Sequence, residues 1–344
     1  MLIVVKIGTD SVIGNIDKIA QDISGLKKHG HDVILVSSGA VGFGRSEIDL
    51  GSNPVEKQIL ASVGQVKLML QYQAAFSKYD YKIGQILITK KDLEGKNEVA
   101  NFELMTRKML EIKSIVPIVN ENDSVALSEI MFTDNDEIAG TLASFLGSDR
   151  LIILTNVDGV YDDFFSENRK ILNEIELDSM PKISSEKSKM GRGGMQSKVR
   201  IASKLAKIGI SSTICNIKND NVLTRLICDN ERIGSTFLPS RSTKASSVKR
   251  KIAFDVGVKT FGSIVVNDCL LKKIKQENSV FSILPIGIES CSGDFHIGDL
   301  ISIKDACGID IGYGLARYSA IELNQKIGKE HEKPIIRYEQ LYII

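Results

Sequence analysis

The sequence predicts an α/β fold for its first two thirds: a mostly parallel sheet covered by helices on both faces. Short, β-branched and almost continuously apolar runs alternate there with longer runs in which apolar residues recur every three or four positions. Strands buried on both faces, and helices that cover them, give this alternation. Near residue 240 the pattern changes to short strands separated by glycines, which predicts a second, smaller domain.

The first domain contains six runs with the strand pattern and five with the helix pattern. The predicted strands are residues 2–7, 33–36, 81–87, 115–119, 151–154 and 211–215. The predicted helices are residues 16–28, 55–78, 98–113, 136–146 and 194–208. Ligands of such folds bind beyond the carboxyl ends of the strands, so we expect the chemistry at those ends.

We place the first domain at residues 1–240 and the second at 249–328, because the stretch between them is rich in serine and contains Pro239. In the second domain, short strands are predicted at 252–255, 262–266, 282–285, 300–304 and 309–315. They suggest a small β-barrel or sandwich. Residues 335–338 are a candidate closing strand.

Composition excludes several classes of protein. The net charge of +1 gives no general attraction to nucleic acid, and no apolar run approaches the roughly 20 residues of a membrane helix. The five cysteines are odd in number and lack C-x-x-C spacing, so we expect neither a disulfide framework nor a metal site built by the protein. The start of the chain lacks a signal-peptide pattern, and we expect a cytoplasmic protein.

A lysine and a glycine follow the first predicted strand. Lys6 stands at the end of a buried strand, where a charge is costly unless it binds something, and Gly8 allows backbone N–H groups to approach an anion. The pair indicates a phosphate site. The alternative is a lysine that extends from the strand end to water.

Small residues follow the second strand. Ser37, Ser38 and Gly39 open a helix whose first N–H groups would be donors to a carboxylate or a phosphate. Ordinary helix capping by one of the serines is the alternative.

Two polar clusters lie close together in the middle of the chain. The run 120–123, Asn-Glu-Asn-Asp, directly follows the predicted strand 115–119 and suits an α-amino group. The run 133–136, Thr-Asp-Asn-Asp, opens a helix, where capping is the alternative explanation.

A later strand end and a glycine-rich loop complete the polar features. Residues 154–161 run from a strand into an Asp-Gly turn. Residues 190–198 carry three glycines and then Lys198 in the first turn of a helix, a pattern suited to triphosphate oxygens. A flexible linker would explain the glycines but not the lysine, and the order is not that of a Walker P-loop.

These five stretches, in this order, resemble the amino-acid kinase family. Residues 57–65 and 84–87 also match one branch of it, and residues 249–328 resemble the PUA domain appended to many such kinases, with landmarks at 283–288 and 293–299. The resemblance implies a three-layer α/β/α sandwich followed by a small PUA-like β-barrel.

The resemblance also implies roles for individual residues. Lys6 and Lys198 are the expected catalytic lysines, organised by Asp136. The residues expected to hold the acceptor are Ser38, Gly39, Asp123 (for the amino group) and Asn135. The residues expected to contact ATP are Lys6, Gly8, Thr155, Asn156, Arg192, Gly193, Gly194, Met195, Gln196, Ser197 and Lys198.

The implied activity is transfer of the γ-phosphate of ATP to the side-chain carboxylate of L-glutamate, the first step of proline synthesis. Mg²⁺ would arrive with ATP. The resemblance further implies a homo-oligomer, inhibition by proline and coupling to glutamate-5-semialdehyde dehydrogenase. Three residues depart from the family pattern: Asp10 and Arg192 replace small residues, and Asn156 stands where aspartate is common.

Two other functions stay open at this point. A sibling kinase would share the ATP site but act on aspartate, carbamate, acetylglutamate or UMP. An RNA-binding or regulatory protein would act through the PUA-like domain, whose start is locally basic, although the near-neutral chain makes RNA an unfavoured partner.

Overall fold

The computed structural model describes residues 1–125, 134–162, 169–177, 194–240, 244–254, 259–275 and 281–344. The chain divides into two compact units. One comprises Met1–Leu93 and Asn97–Lys244, and the other comprises Glu94–Lys96 and Ala245–Ile344. Each unit has its own sheet. No helix in the described part of the chain has the length and apolarity needed to span a bilayer.

The first unit is built on an eight-stranded sheet with the order β3-β4-β2-β1-β5-β7-β8-β6. All neighbours pair in parallel except β7 and β8. The six predicted strands are confirmed as β1–β5 and β7, with ends shifted by at most two residues. The strands are β1 (Leu2–Ile7), β2 (Asp32–Val36), β3 (Lys82–Ile88), β4 (Ile115–Glu121), β5 (Arg150–Thr155), β6 (Glu174–Ile175), β7 (Ser211–Asn216) and β8 (Ser235–Phe237).

The five predicted helices of this unit are confirmed as α2 and α4–α7, whereas α1 and α8 are too short to give a periodic signal. The helices are α1 (Thr9–Val12), α2 (Ile16–Lys28), α3 (Ala40–Arg45), α4 (Pro54–Ser77), α5 (Lys96–Glu111), α6 (Asn135–Leu146), α7 (Met195–Lys207) and α8 (Val222–Ile227). The long helix α4 starts with Pro54 and a capping box between Asn53 and Glu56, which fixes its first turn.

The strand order places a topological switch point at the centre of the sheet. From β1 the chain moves to β2 on one side, whereas from β5 it moves to β6 and then β7, which both lie on the other side. Strands β1 and β5 are parallel neighbours, with Ile7 opposite Leu154. Because their connections diverge, a crevice opens beyond their carboxyl ends, where ligands of such sheets bind.

Side-chain alternation along β1 separates the two faces of the sheet. Ile3, Val5 and Ile7 belong to one apolar core together with residues of α2, α4 and α8. Helix α6 packs on β1 and β5, and α7 packs on α6 and β7. Successive strand residues point to opposite faces, so Lys6 faces the α6 and α7 layer. The alternation of side chains along β1 therefore decides that Lys6 lies on the face covered by α6 and α7.

The second unit contains a five-stranded mixed sheet with the order β10-β9-β11-β12-β13. Its core includes Phe295, Ile301 and Ile303. The predicted strands at 262–266, 300–304 and 309–315 are confirmed as β9, β11 and β12. The elements are α9 (Ser247–Ala253), β9 (Thr260–Val266), α10 (Asp268–Lys275), β10 (Ile288–Gly293), β11 (Leu300–Lys304), β12 (Asp310–Leu315), α11 (Ala320–Asn324) and β13 (Leu341–Ile343).

Three expectations for the second unit are wrong. Residues 252–253 belong to helix α9, which Ser246 caps by accepting a hydrogen bond from Lys249 N–H. In the predicted strand 282–285, only Ile283 pairs, through an isolated bridge to Ile336, because Pro285 begins a 3₁₀ turn. The closing strand is β13, which pairs with β12, and not residues 335–338.

Helices α3 and α4 are in backbone contact, which requires glycine on both. A Cβ on Gly44 would collide with the backbone of Leu60, and a Cβ on Gly64 would collide with the carbonyl of Ala40 and the amide of Gly44. A neighbouring glycine of α3, Gly42, has no such restriction, because a Cβ there would make only ordinary contacts at 3.6 and 3.7 Å. This close packing sets the position of α4 against the start of α3.

We predict that Gly44→Ala destabilises the protein and that Gly42→Ala does not. At Gly44 the added methyl group forces the two helices apart, at a cost of about 1–3 kcal/mol in the free energy of unfolding. At Gly42 alanine's better helix propensity leaves stability unchanged or raised by up to about 1 kcal/mol. Urea denaturation followed by circular dichroism measures both. Equal stabilities of the two variants would contradict the packing argument.

Candidate active site

Two lysines share one buried carboxylate at the carboxyl end of β1. Lys6 Nζ lies 2.6 Å from Asp136 Oδ1, and Lys198 Nζ lies 2.8 Å from Asp136 Oδ2. The three side chains are 6%, 10% and 0% exposed for Lys6, Lys198 and Asp136. Lys6 comes from β1, Lys198 from α7 and Asp136 from α6. The structure thus brings together the three residues predicted to be catalytic.

Burial and charge act against each other in this cluster. Burial by itself would raise the pKa of Asp136, but the ammonium groups of Lys6 and Lys198 outweigh it and hold that pKa below its ordinary value. Burial lowers the pKa of Lys6, with Lys198 adding to the effect and Asp136 opposing it. Two positive charges against one negative charge leave this trio with a net charge of +1, which suits an anionic ligand.

Gly8 keeps the approach to Lys6 open. A Cβ on Gly8 would sit 3.6 Å from Lys6 Nζ, in ordinary contact with it, so glycine leaves that side of the ammonium uncovered. Its carbonyl accepts hydrogen bonds from Ser11 N–H and Val12 N–H and starts the short helix α1. Asp10, one of the departures from the family pattern, lies exposed in the first turn of α1.

The start of α6 divides three tasks among consecutive residues. Asp134 is the cap, since its Oδ1 accepts from Glu137 N–H at 2.9 Å. Asn135 and Asp136 do not cap: Asn135 turns to the second strand end and Asp136 turns to the two lysines. Capping is therefore correct for one residue of the predicted cluster and wrong for the two that carry the site. Thr133 lies outside the described residues.

Asn135 joins α6 to the residues after β2. Its Nδ2 lies 2.7 Å from both Ser37 O and Ser38 Oγ, and 2.9 Å from Asn120 Oδ1. Neither serine caps α3. The cap is Gly39, which has a left-handed φ of 109° and no room for a Cβ beside Val12. The capping alternative for Ser37 and Ser38 is wrong, because their hydroxyls are used elsewhere.

Ser37 is held in place by a residue that the sequence did not single out. Its hydroxyl lies 2.9 Å from the hydroxyl of Tyr72 on α4 and donates to Ser38 O. Burial raises the pKa of Tyr72, so its phenol stays neutral. No local pattern marks Tyr72, which reads as an ordinary apolar position of an amphipathic helix.

Beyond β4 lies a cavity of about 270 Å³. Asp123, the predicted partner of a substrate amino group, lines it. A buried amide also lines the cavity. It belongs to Gln65 of α4, whose Oε1 accepts from Asn120 Nδ2 at 2.9 Å. The lining residues are Ala40, Ala61, Ser62, Gln65, Val66, Gln85, Leu87, Glu121, Asn122, Asp123 and Ser124.

The end of β5 carries two of the residues predicted to contact the nucleotide, Thr155 and Asn156. Thr155 is half-buried and Asn156 is exposed. Asn156 Oδ1 accepts from Ser11 Oγ at 3.0 Å, which ties this turn to α1 beside Gly8. Asn216, at the end of β7, donates to Asp158 Oδ1 at 2.8 Å and to Asn156 O at 3.4 Å. Sequence reasoning missed Ser11 and Asn216, although Asn216 directly follows a predicted strand.

The described part of the glycine-rich loop begins at Gly194, the residue before α7. Met195, Gln196, Ser197 and Lys198 form the first turn, which brings Lys198 to Asp136. Ser197 Oγ is buried and has no hydrogen-bond partner among the described residues. Arg192 and Gly193 lie outside the described residues.

Within the described ranges, no group of three or more His, Cys, Asp or Glu side chains is arranged to hold a metal ion. The five cysteines are free thiols, and Cys215 is buried.

Comparison with known proteins identifies the two units. The model of the amino acid kinase family matches residues 1–216, which carry the lysine–aspartate cluster and the cavity. The chain belongs to the amino acid kinase family. The model of the PUA domain matches residues 262–338.

Relatives of this amino acid kinase match it over nearly their whole length. The glutamate 5-kinase of Chlorobaculum tepidum is 37% identical, with 99% of this chain and 97% of the relative covered. The glutamate 5-kinase of Bacteroides thetaiotaomicron is also 37% identical, covering 99% and 98%. That of Thermotoga maritima is 33% identical, covering 95% and 92%.

A solved structure shows the same fold. The carbamate kinase from Giardia lamblia bound to AMP-PNP has a TM-score of 0.50 at 15% identity. The match covers 70% of this chain and 98% of that one. The predicted α/β fold class and the predicted family are therefore confirmed.

We predict that Asp136→Asn destabilises the protein strongly, because it removes the buried carboxylate that the ammonium groups of Lys6 and Lys198 share. The expected loss at pH 7 is about 3–5 kcal/mol in the free energy of unfolding. The folded pKa of Asp136 is lowered, so its contribution is present above the unfolded value near 3.8 and is lost as pH falls through the folded pKa. The difference between wild type and variant should therefore shrink in acid.

Asp17→Asn is the control, since Asp17 pairs with Lys78 on the surface and should cost no more than about 1 kcal/mol. Urea denaturation between pH 3 and pH 8 measures all three proteins. A loss for Asp136→Asn as small as that of the control would contradict the burial argument.

Proposed function

We propose that this amino acid kinase transfers the γ-phosphate of ATP to the side-chain carboxylate of L-glutamate and releases L-glutamyl 5-phosphate and ADP. The observation that carries the proposal is the pair of lysine ammonium groups on Asp136, one residue away from the amide of Asn135 that reaches the acceptor side. The near full-length similarity to glutamate 5-kinases supports the choice of acceptor.

In this reaction an anionic carboxylate must approach an anionic triphosphate. The carboxylate oxygen attacks the γ-phosphorus, the bond from that phosphorus to the bridging oxygen breaks, and ADP leaves. The nucleophile is already ionised near neutral pH, so the site needs no general base. It needs fixed positive charge where the anions meet, which Lys6 and Lys198 supply from a water-poor position.

Asp136 acts on the reaction through the lysines. Its Oδ2 accepts a hydrogen bond from Lys198 Nζ and its Oδ1 forms an ion pair with Lys6 Nζ, which fixes both lysines before ATP arrives. Preorganised charge of this kind lowers the barrier because little rearrangement is needed in the transition state. We therefore assign Lys6 and Lys198 as catalytic residues and Asp136 as the residue that positions them.

We assign the acceptor to the residues beyond β2 and β4. Asp123 would pair with the α-ammonium group, while Ser38, Gly39 and Asn135 would hold the side chain with its carboxylate toward the lysines. Ser38 and Asn135 are already joined at 2.7 Å, so the two would act as one unit.

We assign the nucleotide to the ends of β1 and β5 and to the start of α7. Gly8, Thr155, Asn156 and the loop from Arg192 to Lys198 would surround it, in keeping with the switch point between β1 and β5. When bound with ATP, Mg²⁺ neutralises phosphate oxygens, and it keeps several waters. Asp134 could accept a hydrogen bond from one of those waters. Its buried Oδ2 has no hydrogen-bond partner among the described residues, and its charge acts on Lys6.

The product is a mixed anhydride of a carboxylic and a phosphoric acid, which hydrolyses readily and suits immediate reduction. Coupling to glutamate-5-semialdehyde dehydrogenase, a homo-oligomeric state, inhibition by proline and a cytoplasmic location remain predictions of the family resemblance.

Hydroxylamine trapping tests the proposed reaction. We expect the protein, incubated with Mg-ATP, L-glutamate and hydroxylamine, to form γ-glutamyl hydroxamate together with ADP. Aspartate, acetylglutamate and carbamate serve as competing acceptors in parallel reactions. ADP formation that depends on one of those acceptors and not on glutamate would overturn the proposed substrate.

We further predict that Lys6→Ala and Lys198→Ala each lower kcat by orders of magnitude, because each removes a charge needed in the transition state. Lys207→Ala, an exposed position in the last turn of α7, is the matched control and should retain full activity. Circular dichroism checks that all three variants fold. Turnover of folded Lys6→Ala and Lys198→Ala close to that of wild type would rule out this mechanism.

A further inference from the structure

Gln65 has a buried amide whose nitrogen lacks a partner. The residue is 9% exposed and lies on α4. Its Oε1 accepts from Asn120 Nδ2, but its Nε2 has no hydrogen-bond partner among the described residues. A buried N–H donor without an acceptor is unfavourable, so such a group marks either a strained position or a ligand contact.

The orientation of this amide is fixed by the backbone. Glu121 N–H donates to Asn120 Oδ1 at 2.9 Å, and a backbone N–H is a donor only. Asn120 must therefore present its Nδ2 to Gln65, and Gln65 must present its oxygen to Asn120. The nitrogen of Gln65 is consequently the atom that has no hydrogen-bond partner among the described residues.

The same relay is anchored at its other end. Asn135 Nδ2 lies 2.7 Å from the carbonyl of Ser37, an acceptor only, and 2.9 Å from Asn120 Oδ1. Each amide thus donates to the next, from Asn135 to Asn120 and from Asn120 to Gln65. A chain of this polarity ends in N–H donors, and polarisation along it strengthens the last donor.

Gln65 lines the cavity that Asp123 also lines. An amide with a spare donor and a carboxylate that line one cavity match the two charges of an α-amino acid, whose ammonium and carboxylate groups are attached to the same carbon. The γ-carboxylate is needed at the lysines, so the α-carboxylate is the acceptor left for Gln65.

We propose that Gln65 donates a hydrogen bond from Nε2 to the α-carboxylate of the acceptor and thereby selects α-amino acids over acceptors that lack this group. The inference rests on the proposed function and adds a specificity residue to it. Gln65 would act in binding and not in phosphoryl transfer, because the relay leads away from Lys6 and Lys198.

The test compares L-glutamate with 4-aminobutyrate, which keeps the amino group and the reacting carboxylate but lacks the α-carboxylate. Gln65→Met removes both amide groups at similar size. Gln65→Glu keeps an oxygen for Asn120 but replaces the donor with a negative charge. Gln73→Met, at an exposed position of the same helix, is the control and should match wild type.

We expect Gln65→Met to lower kcat/KM for L-glutamate roughly 10- to 100-fold, the usual effect of losing a hydrogen bond to a charged group. The loss should appear in the KM for glutamate, with the KM for ATP unchanged. Gln65→Glu should lose more than Gln65→Met. For 4-aminobutyrate, kcat/KM should stay within about 2-fold of wild type in both variants, since that acceptor never uses the donor.

Equal losses for the two acceptors, or a milder effect of Gln65→Glu than of Gln65→Met, would show that Gln65 only supports Asn120 and would overturn the inference. An unchanged kcat/KM for glutamate would overturn it as well.

Calorimetric binding of L-glutamate and 4-aminobutyrate separates this inference from the proposed reaction. If the wild-type protein turns over neither acceptor, the proposed phosphoryl transfer is wrong. The binding measurements alone then test the proposed role of Gln65. Weaker binding of glutamate, but not of 4-aminobutyrate, to Gln65→Met supports the inference. Absence of glutamate binding to wild type overturns it.

Discussion

The first unit must hold two lysine ammonium groups against one buried carboxylate, and the packing of its elements depends on this cluster. Charge is expensive to bury, and Asp136 balances only one of the two positive charges. The cluster persists because three elements fix it: β1 supplies Lys6, α6 supplies Asp136 and α7 supplies Lys198. Two ammonium groups beside one carboxylate favour an anionic ligand, and in the proposed reaction that ligand is the triphosphate of ATP.

The start of α6 connects the two halves of the site. Asp134 closes the helix end, Asn135 reaches the serines after β2, and Asp136 reaches the lysines. Because consecutive residues of one helical turn point in different directions, in the proposed reaction a single rigid element sets the distance between the acceptor and the phosphoryl group. Misplacement of that turn would disturb both sides at once, which is a reason to build it from short polar side chains with fixed partners.

Helix α4 contributes residues to the part of the site that we assign to the acceptor. Its backbone meets α3 at Gly44 and Gly64, and this contact places Gln65 beside Asn120 and places Tyr72 beside Ser37. The glycines therefore do more than permit a turn: they bring a long helix close enough for its amides to join the strand ends. The polarity of the amide relay then follows from backbone groups that act only as donors or only as acceptors.

The sequence by itself determined the six strands and their helices, because apolar periodicity survives without tertiary contacts. The family resemblance singled out Lys6, Asp136 and Lys198, which the structure brings together. Sequence reasoning misplaced residues 252–253, where a serine cap and a short helix competed with the strand pattern. It included Gln65 only as the last residue of the family match at 57–65, without a role, and it did not single out Tyr72 or Asn216. Only the tertiary structure decided those roles, since a hydrogen bond between residues 55 positions apart, such as that from Asn120 to Gln65, depends on how α4 packs and leaves no local pattern.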